Sequence, residues 1–379
     1  MRRSPSLRIA FTLLILSVSV LLVFAKNSCP CRRRNQNHEE KDEEGNNNNH
    51  HHNNVQSAHA RHRTPTKVFI LAGQSNQVGM GSVEHLTALV HDPDTKKEYK
   101  HLWNKTSSDW AERDDVYITF DGRKGKLTVG YGDTWQVPKF GPELEFGWVV
   151  GDALCACDND PILILKIAWG GKDIAVDFRP PSSGRGYYDG VEPSKYGFEY
   201  RHMMDDIRTG LERIAPSLIP GYNDEIGYEL LGFVWFQGWN DFIRDDKVQE
   251  YEFNLANLIR DVREELRVPD LPVLIGEFGM HGIDPPEIPG RPIVLKHVLA
   301  MREAQKNVAE MEEFRDNTVY VPTSPYVVLD ENATHYNEQY HYFGRADTYC
   351  KIGRAFGEAM LDLMEKNQKR RRRSLKIHQ

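Results

Sequence analysis

Val68-Phe-Ile-Leu-Ala-Gly-Gln-Ser75-Asn76 opens on five apolar residues, breaks at a glycine and ends polar. An apolar run this short, without polar alternation, is what a strand covered on both faces requires. Four more such runs follow outward along the chain: Ile162–Ala168, Leu231–Phe236, Val273–Ile275 and Val319–Val321. Helical spacing of apolar residues fills the intervals at Gly141–Leu154, Tyr251–Leu266, Val294–Met311 and Ala346–Leu363. Strands alternating with helices predict a three-layer α/β/α sandwich with a central parallel sheet of about five strands, flavodoxin-like in outline. The stretch 81–139 breaks the rhythm, being polar with Trp103, Trp110, Tyr117, Tyr131 and Trp135 scattered through it. It reads either as a functional insertion whose aromatics meet sugar faces or as a decorated surface loop.

The ends have another character. Met1-Arg-Arg precedes an apolar run from Ile9 to Phe24, so residues 1–25 read as a secretory signal or, with residues 9–25 retained, as a membrane anchor. Residues 26–66, Asn- and His-rich with scarcely an apolar side chain, are expected to be a disordered linker. A domain is expected over 67–365, and a disordered basic tail over 366–379. The sequons at Asn104 and Asn332 fit a secretory route. Among 379 residues, 48 basic against 55 acidic side chains give a net charge of −7, which shows no bulk preference for nucleic acid. Cys29, Cys31, Cys155, Cys157 and Cys350 are odd in number, leaving at least one thiol outside any intrachain pairing. Cys-x-Cys spacing is too tight for a usual structural zinc site, and no metal is expected.

Ligands of an open parallel sheet bind beyond the carboxyl ends of its strands. Beyond the first run stand Gly73-Gln-Ser75-Asn76, beyond the second Trp169-Gly-Gly171-Lys-Asp173, and beyond the third Gln237-Gly-Trp239-Asn-Asp241. Glu277 ends the fourth, and Glu338-Gln-Tyr-His341 follows the fifth. One Ser, one His, carboxylates and amide donors therefore share an edge. Ser75 alone reads equally as a helix cap. Together the residues read as a nucleophile (Ser75), a base (His341), and an acid three residues upstream (Glu338), with Asp241 as the competing acid. The Ser75 amide, the Gly171 amide and the Gln237 side chain are the candidate oxyanion donors. His335 competes with His341 but has Asn332, not a carboxylate, three residues before it. Gln74, Asn76, Glu143, Asp173 and Trp239 are candidate substrate contacts, with capping as the alternative for Glu143 and Asp173. Glu277 reads as a structural ion-pair partner.

Phe69-Ile-Leu-Ala-Gly-Gln-Ser-Asn76, Phe140-Gly-Pro-Glu143, Trp169-Gly-Gly171, Phe233-Val-Trp-Phe-Gln-Gly-Trp-Asn-Asp241 and the His341 segment, in that order, resemble the sialate O-acetylesterase and acetylxylan esterase group of the SGNH hydrolases. The resemblance spans about Lys67 to Met360. It implies a metal-free serine esterase acting on O-acetylated carbohydrates through Ser75, Gly171, Gln237 and His341. Two departures stand out. Trp239 occupies a position where relatives often carry a carboxylate, and Glu338 stands where the superfamily tends to have Asp. Two other readings stay open: a relative that binds carbohydrate without turnover, and an esterase for longer acyl chains.

Overall fold

A computed structural model of the chain describes residues 64–134, 137–154, 161–329 and 339–377. The signal or anchor segment, nearly all of the linker, Asn332, His335 and Glu338 lie outside the described residues.

The central sheet has seven strands, two more than expected. They are β1 (Thr66–Gly73), β2 (Val116–Phe120), β3 (Arg123–Lys126), β4 (Ile162–Ala168), β5 (Tyr228–Phe236), β6 (Val273–Gly276) and β7 (Thr318–Val321). Their order is β7-β6-β5-β1-β4-β2-β3. Only β3 runs antiparallel, as a hairpin with β2 at one edge. That hairpin lies within the 81–139 insertion, which also holds the short antiparallel pair Trp103–Asn104 and Asp109–Trp110.

Alternation along β1 decides the layers. Val68, Ile70 and Ala72 enter a core shared with α3 (Phe198–Thr209), α4 (Asp245–Glu265) and α5 (Pro292–Glu310). Phe69 and Leu71 enter the opposite core, against α2 (Glu143–Leu154) and α6 (Ala346–Ile377). Helices thus cover both faces, which is why these strands show no polar alternation. Each fully buried large apolar side chain contributes about 2 kcal/mol.

One expectation at the far end is corrected. Residues 366–377 continue α6 instead of forming a disordered tail. Lys, Arg and Gln are good helix formers, and Arg370 is tied to Asp316 at 2.6 Å.

β1 is the switch point of the sheet. From its carboxyl end the chain runs first to β2 and β4 on one side, and after β4 crosses to β5 on the other. The loops after β4 and β5 consequently flank the residues after β1.

Candidate active site

Gly73 ends β1 where the chain passes against β5. A Cβ there would sit 2.1 Å from the Phe236 carbonyl oxygen, so no larger residue fits. The Gln74 amide then donates to that carbonyl at 3.2 Å, and the chain turns into the single-turn helix α1 (Ser75–Val78). Gln74 is the N-cap residue of this turn, and Ser75 is its first helical residue. The hydroxyl of Ser75 makes no hydrogen bond to a described residue, which removes the cap reading and leaves a nearly buried hydroxyl uncommitted.

Two clasps hold α1. Lys166, on β4, donates to the Val78 carbonyl at 2.8 Å, to the Tyr131 carbonyl at 2.6 Å and to Glu143 at 2.7 Å. Burial pulls this lysine down to about 8, opposed by the Glu143 charge. Glu143, itself fully buried, also accepts from the Gly141 amide. Glu143 is therefore corrected from a substrate contact to an internal counter-ion behind α1. The second clasp is Asn76. Its Nδ2 donates to the Tyr340 carbonyl at 3.0 Å, and its Oδ1 accepts from the Tyr349 hydroxyl at 2.6 Å. Asn76 is corrected likewise: both ends of its amide serve the protein, joining the residue after Ser75 to the residue before His341.

His341 lies in an irregular turn, Gln339–Gly344, where Tyr342 and Phe343 have φ of 51° and 54°. Positive φ in aromatic residues is costly and persists only where surroundings enforce it. Those surroundings are visible. Trp239 stacks on Tyr340 at 4.7 Å, Tyr340 meets the His341 ring edge-on at 4.5 Å, and Gln339 hydrogen-bonds the buried His281 at 3.0 Å. Trp239 thus supports the His341 turn, with one face taken by Tyr340. His281 was not singled out in the sequence, since a His between two loop residues carries no pattern.

Burial first, and then the Lys139 charge, push His341 down to about 4, with Asp133 opposing. Lys139 and Asp133 are paired at 2.9 Å beside it. The ring is neutral at neutral pH, the form that can accept a proton. The acid limb of kcat/KM is accordingly expected below the ordinary histidine value of 6.5, toward 4. Replacing Lys139 by Ala removes a positive charge and leaves Asp133 to act on the ring, so the limb should move up. A pH–rate profile with a wild-type limb at or above 6.5 would show that burial does not govern this histidine.

Across the switch point, Trp169 donates to the Gly73 carbonyl at 3.3 Å, laying the Trp169–Gly171 turn along the peptide that leads to Ser75. Gly171 is exposed with φ of 70°, a conformation glycine adopts freely, and its amide is uncommitted among the described residues. Its carbonyl accepts from Asn240 Nδ2 at 2.9 Å. Gln237 is the main correction. Its Nε2 donates to Gln74 Oε1 at 3.0 Å, to the Lys172 carbonyl at 3.0 Å and to Asp241 Oδ2 at 2.7 Å. All three partners are acceptors, so a flipped amide would face three oxygens with its own. No proton remains for an oxyanion. Gln74 is corrected too: its Oε1 accepts from Gln237, from the Gly238 amide and from the Asn240 amide, locking the loops after β1 and β5 together below the surface.

Asn240 was missed as a donor. Its Nδ2 has one proton on Gly171 and a second uncommitted, its Oδ1 accepts from Gln74, and it is partly exposed. Asp241 is wholly buried, accepting from the Ile174 amide at 2.9 Å, the Ala175 amide at 3.0 Å and Gln237. Burial pushes its pKa up, the Asp173 charge adds to this, and the three donors oppose it. Both oxygens are engaged in holding the loop after β4 and in accepting from Gln237, which is the structural alternative to a part as acid for His341. Asp173 caps the same loop, accepting from the Val176 amide at 2.6 Å and pairing with Lys247. Glu277 accepts from the Thr323 and Ser324 amides at 2.8 and 2.7 Å, as a structural carboxylate does. Among the described residues no cluster of three or more His, Cys, Asp or Glu is arranged to hold a metal ion.

Residues 65–362 match a family described as carbohydrate esterase, sialic acid-specific acetylesterase. A probable carbohydrate esterase of Arabidopsis thaliana is 24% identical over 218 residues, which is 55% of this chain and 68% of that protein. An X-ray structure from Arabidopsis thaliana aligns at TM-score 0.48 and 18% identity over 79% of this chain and 98% of its own. The crystal structure of NanS aligns at TM-score 0.48 and 13% identity over 80% and 99%. At such scores the two structures are likenesses only, and the family match carries the assignment.

Proposed function

The chain belongs to the sialic acid-specific acetylesterase family of carbohydrate esterases and is a hydrolase of carbohydrate acetyl esters, and we propose that Ser75 is its nucleophile and His341 its base. The observation that carries this is the Asn76 clasp, which holds the His341 turn against α1 while leaving the Ser75 hydroxyl uncommitted. Ser75 attacks the acetyl carbonyl as His341 takes its proton. The Ser75 and Gly171 amides and the free proton of Asn240 receive the oxyanion. The sugar hydroxyl leaves with the proton from His341, and water, activated by the same ring, releases acetate from the acetyl-enzyme. Glu338 remains the proposed acid that orients the ring. The charged start and apolar run of residues 1–25 support entry to the secretory route, and exposed Asn104 is available for glycosylation. Among the described residues no helix is long and apolar enough to cross a membrane.

Acetate release from O-acetylated saccharides by the purified chain tests the reading, with octanoyl esters in parallel. No release from any sugar ester would favour a binding-only relative, and preference for octanoyl would favour a lipid-type esterase. The oxyanion assignment has its own test. Asn240→Ala should lower kcat by about 10²-fold with little change in KM. Gln237→Ala should instead lower the melting temperature, because Gln74 and Asp241 lose a shared buried partner. Equal loss of kcat at unchanged melting temperature in Gln237→Ala would return the donor role to Gln237.

A further inference from the structure

β2 stops short of its neighbour. Its pairing with β4 ends at Thr119↔Leu165, whereas β4 runs on to Ala168. Beyond that point the hairpin turns away at Asp121-Gly122, leaving a notch on the edge of the sheet that carries Ser75. The notch is a cavity of about 440 Å³. It is lined by Phe120, Ala168 and Trp169 from the strand ends and by His202, Asp206 and Thr209 of α3.

The lining of the notch lies one strand away from the residues that follow β1. Ala168 is the register partner of Gly73, Val78 of α1 packs on Phe120 and Ala168, and Trp169 leads directly into Gly170-Gly171. With an acetyl group on Ser75, the alcohol half of the ester needs a place on this edge. Here it would meet the edges of Trp169 and His202, which stack on each other at 5.6 Å and 12°, together with carboxylate, hydroxyl and strand-edge backbone groups. Apolar ring edges beside a few hydrogen-bonding groups are the composition of a small-molecule site. The charges narrow the class. Asp121 and Asp206 line the notch against Lys124, while Lys166 is spent on Glu143 and two carbonyls. An excess of carboxylate repels an acidic sugar and accepts hydrogen bonds from neutral hydroxyls.

We propose that this notch is the saccharide subsite, and that it takes a neutral, hydroxyl-rich sugar in preference to a carboxylated one. The inference rests on the serine-esterase reading of Ser75, and its tests separate the two. Thr209 is exposed at the end of α3, so Thr209→Trp fills the notch without touching α1 or the His341 turn. For acetylated xylobiose, KM should rise by about tenfold or more in this variant. Asp206→Lys should raise kcat/KM for O-acetylated sialic acid relative to acetylated xylobiose. Binding of unacetylated xylobiose, measured calorimetrically on the Ser75→Ala chain with and without Thr209→Trp, gives a reading independent of catalysis, and should be lost with the tryptophan. Undiminished xylobiose binding in that double variant overturns the subsite, whether or not the native chain turns over. A native preference for the sialic ester overturns the charge argument. Absence of acetate release with xylobiose binding lost on Thr209→Trp would instead leave the subsite standing and remove the esterase mechanism.

Discussion

Ser75→Ala is expected to lower acetate release by about 10⁴-fold or more while leaving the melting temperature close to that of the native chain. The pairing of those two outcomes follows from the local geometry. Had Ser75 been the cap of α1, losing its hydroxyl would cost about 1 kcal/mol. Gln74 holds that position instead, and the Ser75 hydroxyl bonds no described residue, so truncation to Ala leaves no buried partner stranded. The helix itself is anchored through Lys166 at its far end and Asn76 within it, neither of which the substitution touches. Ala is also a better helix former than Ser at the first turn. Kinetics on an acetylated saccharide and a thermal melt on the same preparation check both halves. Turnover within tenfold of native would remove Ser75 from the chemistry; lost turnover with a collapsed melt would make it structural.

The contrast between Ser75 and its neighbours shows which features the order of residues alone discloses. Strands buried on both faces announce themselves, because each residue of Val68–Ala72 must be apolar whichever core it enters. β3 could not be read that way. Arg123-Lys-Gly-Lys126 is an edge strand whose alternate side chains face water, so it carries no apolar signal, and its partner Val116–Phe120 was read as part of a polar insertion. The edge bearing Ser75, Gly171 and the Asn240 loop was legible because strand ends locate it in any parallel sheet. Which amide faces the substrate was not. Gln237 and Asn240 are three residues apart in one loop and chemically alike, and only the three acceptors around Gln237 Nε2 separate their roles. Glu143 had a readable clue: Lys166 stands alone in Ile162-Leu-Ile-Leu-Lys-Ile-Ala168, and a lysine on a strand buried on both faces demands a buried carboxylate. Asn76 had none, since its partners are 264 and 273 residues away.

The two carboxylates that are candidates for the triad acid differ in the same way. Glu338→Gln is expected to slow acetate release by about 10²-fold or more at an unchanged melting temperature, whereas Asp241→Asn should destabilise the fold. Asp241 is wholly buried, and its two oxygens collect the Ile174 and Ala175 amides and Gln237 Nε2. Asparagine there would turn an NH₂ toward groups that are themselves donors, leaving buried polar atoms unpaired at a cost of about 3 kcal/mol. The loop it holds carries Gly171 at its start, so residual activity in that variant should fall mainly through loss of folded protein. Glu338 needs no such long-range support, being three residues before His341 in the chain. A carboxylate on the ring nitrogen remote from Ser75 would fix the tautomer and favour the imidazolium that forms as Ser75 attacks. Its removal should therefore also push the acid limb of kcat/KM lower, adding to the effect of burial and Lys139. Rate, melting temperature and pH profile on both variants decide the matter. Near-native turnover in Glu338→Gln beside a well-folded but inactive Asp241→Asn would move the acid to Asp241 and require its carboxylate to leave the loop amides during catalysis.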